Sequence, residues 1–388
     1  MKPALISLGL IILTISCSTP EKNPFWNNGI EIFDVTRIYE NERFPNVVVA
    51  TDGTIITTWG STKYVARRST DGGKSWGPVI NISEPGFHGG GTIVNENSGD
   101  ILAFVEEGHP WSPLTIYRSK DHGLTWNAYE HIIHPDERGN IPSMHMNERG
   151  ITLMHGKNAG RLIRASRVYA EGNDVQYWDN HYTNAIYSDD GGTTWHTSAP
   201  FPAYGTGEAA IEELSDGTLY YNSRRHRSTD GLSPLWRHIA WSHDGGESWV
   251  DMSVSDVLPD GNQNTEYGLM AGLVRLPVEG YDILLYSNID VPKDDGSELW
   301  SYGQRVSGRV RGTIWASFDG GKTWPVKRLV DEGSFAYSSL AAGRAGTPGE
   351  GIIYLLYESN GGGNIARLNL AWLTSGRDWK EFVETGKR

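Results

Sequence analysis

One octapeptide pattern, Ser-x-Asp-x-Gly-x-Ser/Thr-Trp, occurs five times in this 388-residue chain and constrains the fold more than any other feature. The copies begin at Ser69, Ser119, Ser188, Ser242 and Ser317, so their starts are 50, 69, 54 and 75 residues apart. Each copy has the chemistry of a turn, because aspartate accepts hydrogen bonds from nearby N–H groups and glycine tolerates positive φ. The tryptophan can pack between sheets. A turn repeated at this spacing predicts an array of similar sheets.

The segments between the octapeptides have the pattern of two apolar strands around a polar turn, as at 46–57 and 210–221. Four more such units centre on Gly99, Gly150, Gly280 and Gly351. Five octapeptides for six hairpins leave one sheet to be completed by the chain ends, where 30–38 and 366–373 are strand-like. The sequence therefore predicts an all-β, six-bladed β-propeller without a second domain.

Composition narrows the class of ligand. The chain has 34 Lys+Arg against 47 Asp+Glu, a net charge of -13, which argues against a nucleic-acid partner because phosphate binding needs an excess of basic residues. A few converging arginines can still make one pocket positive on an acidic surface. The single cysteine excludes an internal disulfide, and the histidines have no metal-ligand spacing, so we expect no metal or cofactor. We also expect a monomer.

The N-terminus predicts export. Lys2 precedes a mostly apolar run from 3 to 15, and Ser16-Cys17-Ser18 follows it, which resembles a bacterial lipobox. We interpret 1–17 as a lipoprotein-type signal peptide, 18–28 as a tether and 29–388 as the propeller. The expected location is the cell envelope, in the periplasm or on the outer-membrane surface, with the chain anchored through Cys17. The alternative is an ordinary cleaved signal. If Cys17 is the anchor, labelling with palmitate should be lost in Cys17→Ala, and labelling that persists would contradict it.

Two positions of the repeat predict which residues surround the mouth of the central channel, where propellers bind ligands. The first lies about ten residues before the turn glycine and the second lies seven after it. The early position holds Arg43, His88, Glu208 and, less well aligned, Tyr337. The late position holds Glu106, Arg224 and Glu358. Ionisable residues at the ends of apolar strands are typical of a catalytic mouth.

Segments around these positions resemble the exo-α-sialidase (neuraminidase) family, whose propellers carry the octapeptide as the Asp box. They run in order along nearly all of the expected mature chain: Arg43-Phe-Pro, Gly207-Glu208, Tyr221-Asn-Ser-Arg224, Tyr286-Ser-Asn, Arg309-Val-Arg-Gly-Thr-Ile, Ala336-Tyr337-Ser and Leu356-Tyr357-Glu358. The resemblance implies an exo-glycosidase that removes a terminal sialic acid, or a related 2-keto-3-deoxy sugar acid such as Kdn or Kdo, from an acidic glycan.

The resemblance also implies roles for individual residues. Three arginines would grip the sugar carboxylate, namely Arg43, Arg224 and Arg309. Tyr337 would be the nucleophile, Glu208 its general base and Glu358 the partner that holds Arg43. Guanidinium forks suit a carboxylate, and a neutral phenol avoids the repulsion that an acidic nucleophile would meet beside it. Because a tyrosine has a pKa near 10, it needs an adjacent base.

One expected group is missing. Sialidases carry an aspartate on the loop after the first arginine motif to protonate the departing sugar, but residues 55–66 contain no acid. We expect a blade-two group to replace it and favour His88 over Glu106, with Glu107 and His109 nearby. The leaving group could instead need little proton help.

The missing aspartate keeps two other functions open. Histidine and tyrosine together also suit proton abstraction beside a uronate carboxylate, which is the chemistry of a polysaccharide lyase. The alternative to both enzymes is a glycan-binding propeller without activity. A further departure is that Arg164 and Arg167 stand where the family is usually apolar. They could read a second acidic group of the substrate, or they could be solvated strand residues.

Overall fold

The computed structural model describes residues 23–110, 112–227, 230–264, 268–293 and 308–385. The predicted signal peptide, Cys17 and residues 18–22 of the tether lie outside this part of the chain. Within it, six sheets follow one another along the sequence, and strands in each sheet are mainly antiparallel neighbours. Inner strands of successive sheets contact one another around a ring. The predicted six-bladed β-propeller is confirmed.

The first three blades are built as follows. Strand β1 (Phe33–Glu40) belongs to the last blade. Blade one contains β2 (Asn46–Val49), β3 (Ile55–Trp59), β4 (Tyr64–Ser69) and β5 (Ile80–Ser83). Blade two contains β6 (Phe87–Val94), β7 (Ile101–Glu106), β8 (Leu114–Ser119) and β9 (Asn127–Tyr129). Blade three contains β10 (Ile132–Ile133), β11 (Ile151–Thr152), β12 (Leu162–Val168), β13 (Tyr182–Ser188) and β14 (Thr194–Thr197).

The remaining blades repeat the same order of strands. Blade four contains β15 (Thr206–Glu213), β16 (Leu219–Arg225), β17 (Trp236–Ser242) and β18 (Val250–Pro259). Blade five contains β19 (Gly272–Leu276), β20 (Ile283–Ile289), β21 (Val310–Ser317) and β22 (Val326–Ser334). Blade six contains β23 (Ser338–Ala342), β24 (Ile353–Ser359), β25 (Gly362–Leu368) and β1. Two short helices follow, α1 (Leu370–Leu373) and α2 (Lys380–Thr385).

The ring closes by pairing the two ends of the described chain. Strand β1 is antiparallel to β25, with Phe33 opposite Leu368. The strand predicted over 366–373 is wrong beyond Leu368, because the Asn369 side chain accepts a hydrogen bond from Trp372 N at 2.9 Å and begins α1. Part of the predicted tether is also packed, since Phe25 is 1% exposed and its carbonyl accepts from Leu370 N at 2.7 Å.

Blade three departs from the predicted hairpins. Gly150 does not lie in the turn but directly before β11, and the turn between β11 and β12 contains Gly156 and Gly160 instead. A Cβ on Gly150 would lie 2.3 Å from the Ile93 side chain of blade two. The glycine that the sequence presented as a turn therefore permits close packing between blades.

Apolar clusters between adjacent blades hold the ring together. Phe104 of blade two meets Trp195 of blade three at 5.4 Å between ring centroids, and Tyr220 of blade four meets Trp324 of blade five at 6.4 Å. Each of the six clusters joins two neighbouring blades. Among the residues described, no helix has the length and apolar character needed to cross a membrane.

The octapeptides form the same turn wherever they occur. In the first copy, Asp71 Oδ1 accepts hydrogen bonds from Ser69 Oγ at 2.8 Å and from Ser75 N at 2.9 Å. Gly73 N donates to Ser69 Oγ at 2.9 Å. Equivalent bonds recur in the other copies. The carboxylates of these aspartates accept hydrogen bonds within their own turns.

We expect Asp71→Asn to lower the free energy of unfolding by about 1–3 kcal/mol at pH 7, because the carboxylate accepts several hydrogen bonds. Those bonds hold the pKa of Asp71 well below its usual value, so its contribution is present above the unfolded pKa and is lost as pH falls through the folded pKa. Urea unfolding at pH 7 and pH 3 tests this. The exposed Asp256→Asn is the control, and an Asp71 effect that grows on acidification would contradict the account.

Candidate active site

Tyr337 and Glu208 form the centre of the channel mouth. Tyr337 stands directly before β23, the inner strand of blade six, and Glu208 lies on β15, the inner strand of blade four. The Tyr337 Oη donates a hydrogen bond to Glu208 Oε1 at 3.0 Å. Both residues are buried, 3% and 1% exposed. A phenol is thus in direct contact with a carboxylate that can accept its proton.

Arg224 lies beside this pair on β16. Its Nη1 donates to Glu208 Oε2 and, at 3.3 Å, to Tyr337 Oη. The Arg224 side chain is fully buried. Because the guanidinium contacts both groups, it compensates the Glu208 charge and favours negative charge on the phenol oxygen.

Arg43 and Arg309 complete the positive surroundings of Tyr337. The Arg43 Cζ lies 5.3 Å from the centroid of the Tyr337 ring, and the Arg309 Cζ lies 5.2 Å from it. Arg43 remains accessible, with 48% of its side chain exposed, and is therefore available to a ligand. The structure brings together all three arginines predicted to bind the carboxylate.

Glu358 fixes the orientation of Arg43. Its two oxygens accept from Arg43 Nε and Nη2, each at 3.1 Å, and Oε1 also accepts from Phe44 N at 2.9 Å. Phe44 has a φ of 68°, a left-handed conformation that costs energy for a bulky residue. Phe44 was not among the predicted site residues, although a residue that precedes a proline, here Pro45, has a restricted backbone.

The structure argues against His88 as the proton donor. Its ring is fully buried, and its Nδ1 accepts from Gly90 N at 3.1 Å and Gly91 N at 2.9 Å. Burial, with a smaller effect of Arg164, lowers the pKa of His88 to about 3. The imidazole is therefore neutral, and it stabilises the β-bulge that Gly90 and Gly91 form in β6.

Glu106 positions a loop. It is 2% exposed, and its Oε1 accepts from Ser143 Oγ at 2.5 Å and Met144 N at 3.1 Å. Burial raises the pKa of Glu106 to about 7, against the opposing effect of the Ser143 bond. Its Oε2 lies 3.7 Å from Nδ1 of His145. Glu106 thus holds the segment 143–145 beneath the mouth and does not itself reach the surface.

His109 is the accessible histidine in this region. It lies on the loop after β7 and is exposed, with its ring centroid 4.4 Å from that of His145 and 5.9 Å from that of Phe87. Burial of part of the ring lowers the pKa of His109, while Glu208 acts in the opposite direction. The sequence signal was its place three residues after the mouth position of Glu106.

Arg164 and Arg167 are both buried, at 0% and 3% exposed, so the interpretation as solvated strand residues is wrong. Arg164 packs over the Phe104 ring at 4.2 Å and donates to Gly90 O, which places it in the core. Arg167 lies near the mouth.

Within the described ranges, no group of three or more His, Cys, Asp or Glu side chains is arranged to hold a metal ion.

The fold and this mouth define the chain as a six-bladed propeller of sialidase type. Residues 88–350, more than half of the chain, match the family model for the BNR repeat-like domain. The chain therefore belongs to the family of sialidase-type β-propellers that carry this domain.

Two curated relatives are named sialidase. One, from Micromonospora viridifaciens, is 30% identical over 380 residues, covering 86% of this chain and 52% of the relative. Another, from Bacteroides fragilis, is 27% identical, covering 76% of this chain and 53% of the relative. The chain thus spans about half the length of these relatives.

Solved structures share the fold. A Hadza microbial sialidase has a TM-score of 0.65 and 25% identity, with 86% of this chain and 66% of that chain covered. The intramolecular trans-sialidase from Ruminococcus gnavus, solved with oseltamivir carboxylate, has a TM-score of 0.64 and 16% identity, with 86% and 95% covered. At that identity the second likeness concerns the fold alone.

Proposed function

We propose that this protein is a retaining exo-glycosidase of sialidase type, which releases a terminal 2-keto-3-deoxy sugar acid from a glycan. The observation that carries the proposal is the 3.0 Å hydrogen bond from Tyr337 to Glu208 within a group of three arginines. Its relatives named sialidase support the same reaction class. Sialic acid is the leading substrate, and Kdn and Kdo are alternatives because they share the carboxylate and the anomeric centre.

The proposed reaction follows from the charges around Tyr337. The arginines hold the sugar carboxylate, Glu208 takes the phenol proton, and Tyr337 Oη attacks the anomeric carbon as its bond to the leaving oxygen breaks. The leaving oxygen takes a proton from a general acid. Water then attacks the anomeric carbon and gives a proton to the group that had served as the acid, while the departing Tyr337 Oη takes its proton back from Glu208. Two displacements give retention of configuration.

Incubation of the protein with sialyl, Kdn and Kdo glycosides, followed by detection of free sugar acid, tests this function. A lyase acting on a uronic-acid glycan would instead form an unsaturated product that absorbs in the ultraviolet. Saturable binding without any released sugar would indicate a non-catalytic propeller. Either of these two results would overturn the proposal.

His109 is the proposed proton donor, in place of the missing aspartate. It is exposed at the mouth, and the negative charge of Glu208 favours its protonated form. Its ring packs against the rings of His145, Phe87 and Tyr169. The Asn173 side-chain amide lies 2.9 Å from its Nδ1. With the amide oxygen turned towards Nδ1–H it stabilises the protonated imidazole, and Nε2 then gives up the transferred proton. His88 and Glu106 lack this exposure.

We expect His109→Ala to lower turnover by about 10²–10⁴-fold on a substrate with a sugar leaving group, and by much less on an aryl glycoside that leaves without proton help. Because burial lowers the pKa of His109, wild-type turnover of the sugar substrate should fall as pH rises through a value below the usual 6.5. Steady-state kinetics with both substrates measures this. The exposed His134→Ala is the control, and equal losses on both substrates would exclude His109 as the acid.

A further inference from the structure

Arg167, on β12, is a buried cation without a carboxylate partner among the residues that the structure describes. Its Nη2 donates to His181 Nδ1 at 2.8 Å, and its Nη1 donates to Tyr169 Oη at 3.3 Å. The guanidinium Cζ lies 4.3 Å from the centroid of the Tyr169 ring. Its Nε is buried and makes no hydrogen bond within the described chain. One donor of this cation is thus unused.

The histidines around Arg167 do not balance its charge. His181 Nδ1 accepts from Arg167, and its Nε2 donates to Gly172 O at 2.7 Å, so this imidazole is neutral. Burial, followed by the effect of Arg167, lowers the pKa of His181 to about 3. Burial also holds the pKa values of His145 and His226 well below their ordinary range. A buried charge without an opposite charge beside it is costly. Because the described chain places no carboxylate beside Arg167, the site points to an anion supplied from outside the chain.

Arg167 stands next to the reacting pair. A Cβ on Gly207, the residue before Glu208, would lie 3.5 Å from Arg167 Nη1. Tyr169 lies between Arg167 and the reacting pair. Its phenol accepts a hydrogen bond from Arg167, and burial, together with the charges of Glu208 and Tyr337, raises its pKa. Arg43 and Arg309, in contrast, lie directly on the Tyr337 ring. The mouth therefore has two positive regions.

We infer that Arg167 binds a second anionic group of the substrate, in addition to the carboxylate held by the other arginines. The inference rests on the proposed function and narrows it to substrates with two acidic groups. A carboxylate or sulfate suits the site, because its oxygens accept from a guanidinium that has a donor to spare. The second group belongs either to the released sugar or to the sugar that departs from it.

The test uses two matched pairs of substrates. In the first pair, aryl glycosides carry a sugar acid with one carboxylate or with carboxylates at both ends of its carbon chain. In the second pair, a terminal sialic acid is linked to galactose or to another sialic acid. The wild-type kcat/KM should be about tenfold to 100-fold higher for the doubly acidic member of one pair, and that pair identifies the source of the charge. No preference in either pair would overturn the inference.

Arg167→Gln should remove this preference by raising KM for the doubly acidic substrate about tenfold to 100-fold, with less than about threefold change for its partner. Arg167→Lys should restore part of it. Arg161→Gln is the control, because Arg161 lies at the other end of β12 and pairs with Asp189 and Glu247. An equal loss on both substrates after Arg167→Gln would show that Arg167 only supports the fold and would overturn the inference.

Two other outcomes are also decisive. If Arg167→Gln does not fold, the wild-type preference alone decides. If no substrate is cleaved, the proposed function fails, and calorimetric titration of wild-type protein with both members of each pair tests Arg167 separately. Tighter binding of the doubly acidic member of one pair supports the site, and equal binding within both pairs overturns it.

Discussion

Tyr337→Phe should reduce kcat by at least about 10³-fold while leaving the folded structure intact. The substitution removes only the hydroxyl that donates to Glu208 at 3.0 Å, and the ring keeps its place between Arg43 and Arg309. Steady-state kinetics with an activated aryl sialoside measures the loss, and the thermal midpoint reports on the fold. An aryl substrate is chosen because its departure needs no acid, so the measurement isolates the nucleophile.

Tyr357→Phe is the matched control. Tyr357 is a buried tyrosine of the same blade, whose ring stacks on Phe335 and whose hydroxyl donates to Asp331 at 3.1 Å. The variant removes a buried hydroxyl, as Tyr337→Phe does, and it should keep near wild-type turnover. Comparable activity in both variants would show that Tyr337 is not the nucleophile.

Arg224→Met should have the largest effect on stability, lowering the free energy of unfolding by about 3–5 kcal/mol. Arg224 and Glu208 are buried together, at 0% and 1% side-chain exposure, so the substitution leaves a buried carboxylate without its guanidinium. Activity should also fall by at least about 100-fold, because the same Nη1 donates to Tyr337 Oη. Chemical denaturation and kinetics on the aryl substrate provide the two measurements.

A double variant separates these two effects. Arg224→Met combined with Glu208→Gln removes both charges, so most of the lost stability should return while activity stays absent. If the double variant is as unstable as the sum of the single ones, the buried pair is not what stabilises this part of the mouth. If it regains activity, neither residue serves the reaction.

The sequence predicted the blades well because each octapeptide is a local structure. Ser69, Asp71 and Ser75 form their bonds within seven residues, so the same turn results wherever the pattern occurs. The arginines, Tyr337, Glu208 and Glu358 could be located because they resemble a known family pattern at the ends of repeated strands. Their contacts with one another are long-range and needed the structure.

The sequence placed His88 at the mouth because counting residues along a strand assumes a regular strand. In β6 the pairing shifts between His88 and Thr92, where Gly90 and Gly91 form a bulge. His88 is buried in the core beside this bulge, whereas His109, on the loop after β7, is exposed. The prediction of a hairpin turn at Gly150 was wrong, because a turn glycine and a glycine that permits close packing look alike in sequence.

The pairing of β1 with β25 links completion of the mouth to folding order. Arg43 follows β1, and its partner Glu358 lies on β24, so the bidentate bond between them joins residues 315 positions apart. Contacts of such long range carry the greatest loop-closure entropy and form late. Each of the first five blades pairs strands that are close in sequence, whereas Arg43 meets Glu358 only after β24 has been synthesised. A chain that ends before β24 thus lacks the carboxylate that orients Arg43.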